Sequence, residues 1–170
     1  MKINISNIPA GVSTHELSQS AQLMGLPENF SGSVTAHVSL EKSSWQILAT
    51  ITAQANAAFV CDRCAEEYIR PIDAVFDLIY TWTETERSTE EGEDLYVLGD
   101  GQKVIDMSDA VREYILLGIP IKNLCRDDCR GLCAVCGTNL NERLCGCTSD
   151  EVDVRWSALQ NLASQNEPHS

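Results

Sequence analysis

Six of the chain's eight cysteines fall between Leu124 and Cys147, in LCRDDCRGLCAVCGTNLNERLCGC, and the other two, Cys61 and Cys64, form a CxxC pair far upstream. Sulfurs spaced in this way must converge, so any fold open to the chain has to bring these loops together. Eight thiolates are what two tetrahedral zinc sites of four sulfurs each require. Disulfides are the competing use, and they belong to oxidising compartments. The opening residues MKINISNIPAGVSTHEL hold no apolar stretch of signal-peptide length, and nothing later approaches the roughly 18 unbroken apolar residues of a membrane span. The sequence therefore predicts a reduced, cytoplasmic chain, away from membranes, whose cysteines hold metal. Burial as a small hydrophobe would explain one isolated cysteine but not this series.

The ligands can be partitioned by spacing. Cys133-Ala134-Val135-Cys136-Gly137 has the form of a zinc knuckle: two intervening residues let both sulfurs face one ion, and the glycine tolerates the left-handed turn that follows. Cys145 and Cys147, separated by one glycine, complete that site. Cys125 and Cys129, at the i,i+4 spacing of a helical turn, are then the partners for Cys61 and Cys64. Crossed partitions stay open at this point, as does an iron-sulfur cluster on four of the cysteines. Two zinc ions with four thiolates each leave no open coordination position, which predicts a structural role.

Around the cysteines, the pattern predicts an α+β fold: an antiparallel sheet, barrel-like if it closes, with a few short helices and a C-terminal cysteine-rich knuckle. Ser13 and Glu16 fit a capping box, Leu17, Ala21 and Met24 share a face and Gly25 can stop it, so residues 13–25 read as a helix. From Phe30 the period becomes two. Val34, Ala36, Val38 and Leu40, then Trp45, Ile47, Ala49, Ile51 and Ala53, read as a hairpin about the polar turn 41–44. Ile72, Ala74, Phe76, Leu78, Tyr80 and Trp82 read as a third strand, which puts Cys61 and Cys64 in a tight turn between strands. Residues 83–94 read as an acidic loop, and 95–98 with 102–105 suggest a small hairpin about Gly99-Asp100-Gly101. Residues 106–118 read as an amphipathic helix capped by Asp106, with Val111, Tyr114 and Ile115 on one stripe and Pro120 closing it. A last short helix starts at Asp153, with Val154, Trp156, Leu159 and Leu162 available for packing. The expected domains are 1–120, the sheet with its helices, and 121–170, the zinc-binding region and final helix, packed as one unit in which the cysteines clasp sheet to tail.

Charge narrows the function. Twelve Lys and Arg stand against 25 Asp and Glu, a formal charge of −13, and two loaded tetrathiolate sites would take it to about −17. Nonspecific nucleic-acid affinity comes mainly from Lys and Arg displacing counterions, so a basic protein is the better electrostatic match. His15, His37 and His169 are scattered with no nucleophile pattern beside them, and no phosphate-cradling glycine loop occurs. No catalytic residue is assigned, and the chain is expected not to be an enzyme.

CysAspArgCys at 61–64, ValIleAspMetSerAspAlaValArgGluTyrIleLeuLeuGlyIlePro at 104–120 and the cysteine block, with GlyLeuCys, CysGlyThrAsnLeuAsn and CysGlyCys, together resemble the YceD family. Its members are called large ribosomal RNA subunit accumulation proteins. The resemblance covers the chain from about Phe30 onward and implies a bacterial or organellar factor for accumulation or processing of large-subunit ribosomal RNA. It also implies a link to a ribosomal protein, and no known catalytic site. The expected partner is a basic ribosomal protein or an assembly factor, with direct contact to precursor ribosomal RNA as the alternative. Arg63, Lys122, Arg126, Arg130 and Arg143 are the residues that would make such a contact; the competing reading has them offset thiolate charge by hydrogen bonding to sulfur.

Overall fold

The computed structural model describes residues 1–82 and 94–147. They divide into two compact units: Met1–Val60 with Glu67–Asn123, and Cys61–Glu66 with the chain from Leu124.

The first unit is mostly β. Its strands are β1 (Lys2–Asn4), β2 (Gly11–Ser20), β3 (Phe30–Lys42), β4 (Gln46–Val60), β5 (Glu67–Thr81), β6 (Asp94–Val97) and β7 (Val104–Asp106), followed by α1 (Ser108–Leu117). The main sheet runs β2-β3-β4-β5-β6, and β1 pairs with β7 in a second, two-stranded sheet. β2 through β5 are antiparallel neighbours, whereas β6 adds parallel to β5. The period-two pattern sets the register: Leu40 lies opposite Ala49, Val38 opposite Ile51 and Ile51 opposite Phe76, so each rung puts apolar side chains on one face. Leu40, Ile47, Ile51 and Leu78 are fully buried there, each contributing about 1.5–3 kcal/mol.

Helix α1 covers this face, burying Ala110, Val111 and Ile115 while Tyr114 stacks on Phe76 with ring centroids 4.0 Å apart. Ala49, Ala53, Ala55 and Ala57 of β4 are buried in the same core as the helix. Its approach is close at the end, where a Cβ on Gly118 would stand 3.0 Å from the Asp73 carbonyl. The helix begins one residue later than its sequence cap implied: Met107 is the capping residue, and Asp106 Oδ1 accepts the Ser108 N–H at 3.0 Å.

Three expectations are corrected. Residues 13–20 form strand β2, not a helix. Ser13, His15, Leu17 and Gln19 stand opposite Leu40, Val38, Ala36 and Val34, and Ser13 Oγ bonds His15 Nε2 at 3.1 Å instead of capping. A free edge on β3 outweighs a helical signal carried by three apolar residues. What the helix reading did detect is the turn after β2: Gly25 sits at φ +70, with Leu26 N–H donating to Ala21 O and Gly25 N–H to Gln22 O, a Schellman pattern on a single turn. Second, 95–98 and 102–105 do not pair with each other. The chain turns at Gly99, where Gln102 N–H donates to Gly99 O at 3.0 Å, but the flanking strands go to different sheets, because segments of three or four residues carry too little pattern to choose a partner. Third, Trp45 leaves the buried row and stands exposed in the β3–β4 turn. α1 is the one helix among the described residues; the acidic stretch 83–93 and the helix expected from Asp153 lie outside them.

Candidate metal centre

The second unit contains all eight cysteines, and its architecture is two copies of one turn. At Cys61, the N–H donates to Glu66 O and the carbonyl accepts from Ala65 N–H, both at 2.9 Å; at Cys133, the N–H donates to Thr138 O at 2.8 Å and the carbonyl accepts from Gly137 N–H at 2.9 Å. Both are knuckles, each closed by a left-handed residue, Gly137 at φ +71 and Ala65 at φ +56. The sequence revealed only the second, because an alanine holds the position where glycine is the readable signal. Cys125 and Cys129 are not on a helical turn. Cys129 N–H donates to Arg126 O at 3.1 Å, a tighter turn that the two aspartates between them favour.

The sulfurs gather in two groups, Cys61, Cys64, Cys125 and Cys129, and Cys133, Cys136, Cys145 and Cys147, with all sulfurs of a group within 4.8 Å of one another. None is in a disulfide. In the first group Cys61 and Cys129 sulfurs are 3.7 Å apart and Cys64 and Cys125 sulfurs 3.6 Å. A tetrahedron with metal-sulfur bonds of about 2.3 Å has edges of about 3.8 Å, so the donor set fits a tetrahedral ion. The groups differ in exposure. Cys61, Cys64 and Cys129 are buried, whereas Cys136 and Cys147 are exposed.

Electrostatics within each group point the same way. Burial pushes the Cys61 thiol up, but backbone N–H groups of Cys125, Cys64 and Arg63 outweigh it and hold the thiol down at about 6. Cys129 is lowered too: burial opposes, and the Asn141 side chain and Gly131 N–H prevail. Cys125 is pushed up to about 12 by burial and by the sulfurs of Cys64, Cys61 and Cys129. In the second group the Thr138 hydroxyl and N–H hold Cys136 at about 6, while Cys147 is pushed up to about 12 by Cys136, by burial and by Cys145. Some thiols are primed as anions and their neighbours resist joining them, because like charges this close cannot all ionise without a cation. A divalent ion bound by the four sulfurs of a group would supply that charge.

A polar side chain that donates to a buried sulfur is Asn141, which sequence reasoning did not single out although it ends the CysGlyThrAsnLeuAsn motif. Its Nδ2 donates to Cys129 Sγ at 3.3 Å and to Asn139 Oδ1 at 2.9 Å, and its Oδ1 accepts the Arg130 N–H at 2.8 Å. The basic residues have other engagements. Arg63 Nη1 donates to the Cys129 carbonyl at 2.8 Å, not to a sulfur, and Arg126 pairs with Asp128 at 3.5 Å. Arg130 and Arg143 are exposed, with their backbone N–H groups on Asn141 Oδ1 and Asn139 O. Lys122 is exposed and belongs to the first unit. Arg63 also meets Gly131, at φ +76, where an added Cβ would lie 3.0 Å from the Arg63 carbonyl.

A β-sheet unit and a module with two groups of four cysteines, each able to hold a metal ion, define the class of protein. Residues 49–163 match the family model described as Large ribosomal RNA subunit accumulation protein YceD, and the chain belongs to that family. An Arabidopsis thaliana protein named large ribosomal RNA subunit accumulation protein YCED homolog 1, chloroplastic, is 32% identical over 130 residues, 62% of this chain and 40% of its own length. An uncharacterized protein of Mycobacterium leprae is 28% identical over 133 residues, 77% of this chain and 59% of its own. One of Mycobacterium bovis is 28% identical over 122 residues, 71% and 57%. The chain thus spans between 40% and 59% of the length of these relatives. No solved structure matches it.

Proposed function

We propose that the chain is a non-enzymatic ribosome-biogenesis factor that supports accumulation or processing of large-subunit ribosomal RNA by contacting a basic ribosomal protein or assembly factor. In this reading both sulfur groups hold zinc, and the ions fix the module's shape. Membership of a family described by ribosomal RNA accumulation supports the process. One observation carries the choice of partner: 25 acidic residues face 12 basic ones, and two of the arginines nearest the sulfurs are occupied by a carbonyl and a carboxylate of the same module. Cytoplasmic placement is part of the same proposal, supported by eight unpaired thiols. Among the described residues no helix is long and apolar enough to cross a membrane.

A salt-dependent filter-binding assay tests the partner class. The expected result is weak retention of precursor ribosomal RNA at 150 mM salt alongside binding to large-subunit proteins. Tight RNA binding that falls steeply with salt, and with Arg126→Ala plus Arg130→Ala, would overturn the protein-partner reading in favour of direct RNA contact.

A further inference from the structure

Strand β2 is a ten-residue edge of the main sheet. Its pairing with β3 runs in unbroken register from Gly11 opposite Lys42 to Ser20 opposite Ser33, with no bulge. Its sequence, GVSTHELSQS, contains no Lys, Arg or Pro, and Glu16 is its one formal charge. Among the described residues nothing pairs with its outer side. Long regular edges are templates for strand addition, and proteins ordinarily blunt them with lysine, proline, bulges or short length. β6, the opposite edge, is short, with four residues. β2 has none of these protections.

The face beside this edge has a definite charge. The outward positions of β2 to β5 carry Glu16, Glu41, Glu67, Asp73 and Asp77 and no Lys or Arg. Lys42 points the other way, its Nζ donating to the carbonyls of Ile5 and Ile8 at 2.9 Å. A shallow hollow of about 460 Å³ lies on this face across β2, β3 and β4, lined by Thr14, Glu16, His37, Ser39, Thr50 and Thr52. We infer that β2 accepts an extended, lysine- and arginine-bearing segment of a partner protein as an added strand, its basic side chains lying over the Glu16 and Glu41 side of the sheet. Backbone hydrogen bonds supply the affinity and alternate side chains the selection. A second copy of this chain is the poorer occupant, because each copy brings −13. The inference rests on the reading of a basic protein partner, and it lies outside the family match, which begins at Ala49 in β4.

Amide exchange on the full, zinc-loaded chain tests it. The probes are a synthetic ten-residue peptide alternating lysine with valine and threonine, the same peptide N-methylated at alternate residues, a glutamate-for-lysine counterpart, and proteins salt-stripped from large ribosomal subunits. The lysine peptide is expected to slow exchange across residues 11–20 at least tenfold at low salt. The N-methylated and glutamate peptides are expected to lose that protection, and Thr14→Lys to weaken the lysine peptide at least tenfold with the fold unchanged. Equal binding by the N-methylated peptide, binding that leaves β2 exchange unaltered, or a free protein that sediments as a dimer with β2 already protected would each overturn the inference. Ribosomal proteins that bind without protecting β2 would sink the edge while sparing the basic-partner reading; lysine-peptide protection of β2 with no ribosomal protein bound would do the reverse.

Discussion

Replacing Asn141 by Asp isolates the role of a single N–H group at the first metal site. The substitution keeps the shape and the oxygen that accepts the Arg130 N–H at 2.8 Å, but exchanges the Nδ2 donor 3.3 Å from Cys129 Sγ for an anionic oxygen. A hydrogen bond to a charged group is worth about 1.5–3 kcal/mol, and each 1.4 kcal/mol is about tenfold in affinity. Zinc affinity at the Cys61, Cys64, Cys125 and Cys129 site should therefore fall about 10–100-fold, the range typical of partners behind the ligands. The site at Cys133 serves as internal reference. Cys129 is kept below the ordinary thiol value against the opposing effect of burial, with Asn141 the foremost group lowering it. Losing that donor raises the thiol, lets protons compete better and makes the defect larger at pH 6.5 than at pH 8. Chelator competition on wild type and variant measures both effects. Unchanged affinity, or equal weakening of both sites, would refute the reasoning.

Metal release should be biphasic under excess chelator, with Cys136 and Cys147 alkylated before Cys61 and Cys64, since the first pair is exposed and the second buried; mass mapping of the modified cysteines follows the order. Ala65→Gly should stabilise the folded chain by about 0.5–1 kcal/mol, because Ala65 holds φ +56 and the relief of left-handed strain exceeds the added chain entropy; urea midpoints check it. Burial opposes ionisation of Asp106, but the Ser108 hydroxyl and N–H, the terminal ammonium and Lys2 hold its carboxyl at about 2. A carboxyl lowered on folding contributes stability above its unfolded value near 3.8, lost as pH falls through 2. With its side chain 47% exposed, solvent screening reduces the contribution to on the order of 1 kcal/mol. Asp106→Asn should therefore lower stability at pH 7 and converge with wild type by pH 2 in denaturation curves.

The strands β3 to β5 were legible because each runs long enough for alternation to be unambiguous, and a one-residue slip would expose every buried side chain. The grouping of the sulfurs followed from spacing, since a CxxC turn aims two thiolates together wherever it sits. What escaped was decided by tertiary context. β2 is mostly polar, with Val12 and Leu17 its two apolar side chains, and becomes a strand because β3 offers an edge. β6 and β7 are too short to name their partners. The first knuckle hid behind Ala65, and Asn141 shows its role only when its amide reaches a sulfur that belongs to a distant cysteine.

Native mass spectrometry of the full chain, purified under reducing conditions and compared with its denatured mass, bears most directly on the two-site account. The account predicts two zinc ions per chain, with eight alkylatable thiols after unfolding and metal removal. One ion or none, or a denatured mass that reveals disulfides in place of thiols, would contradict it.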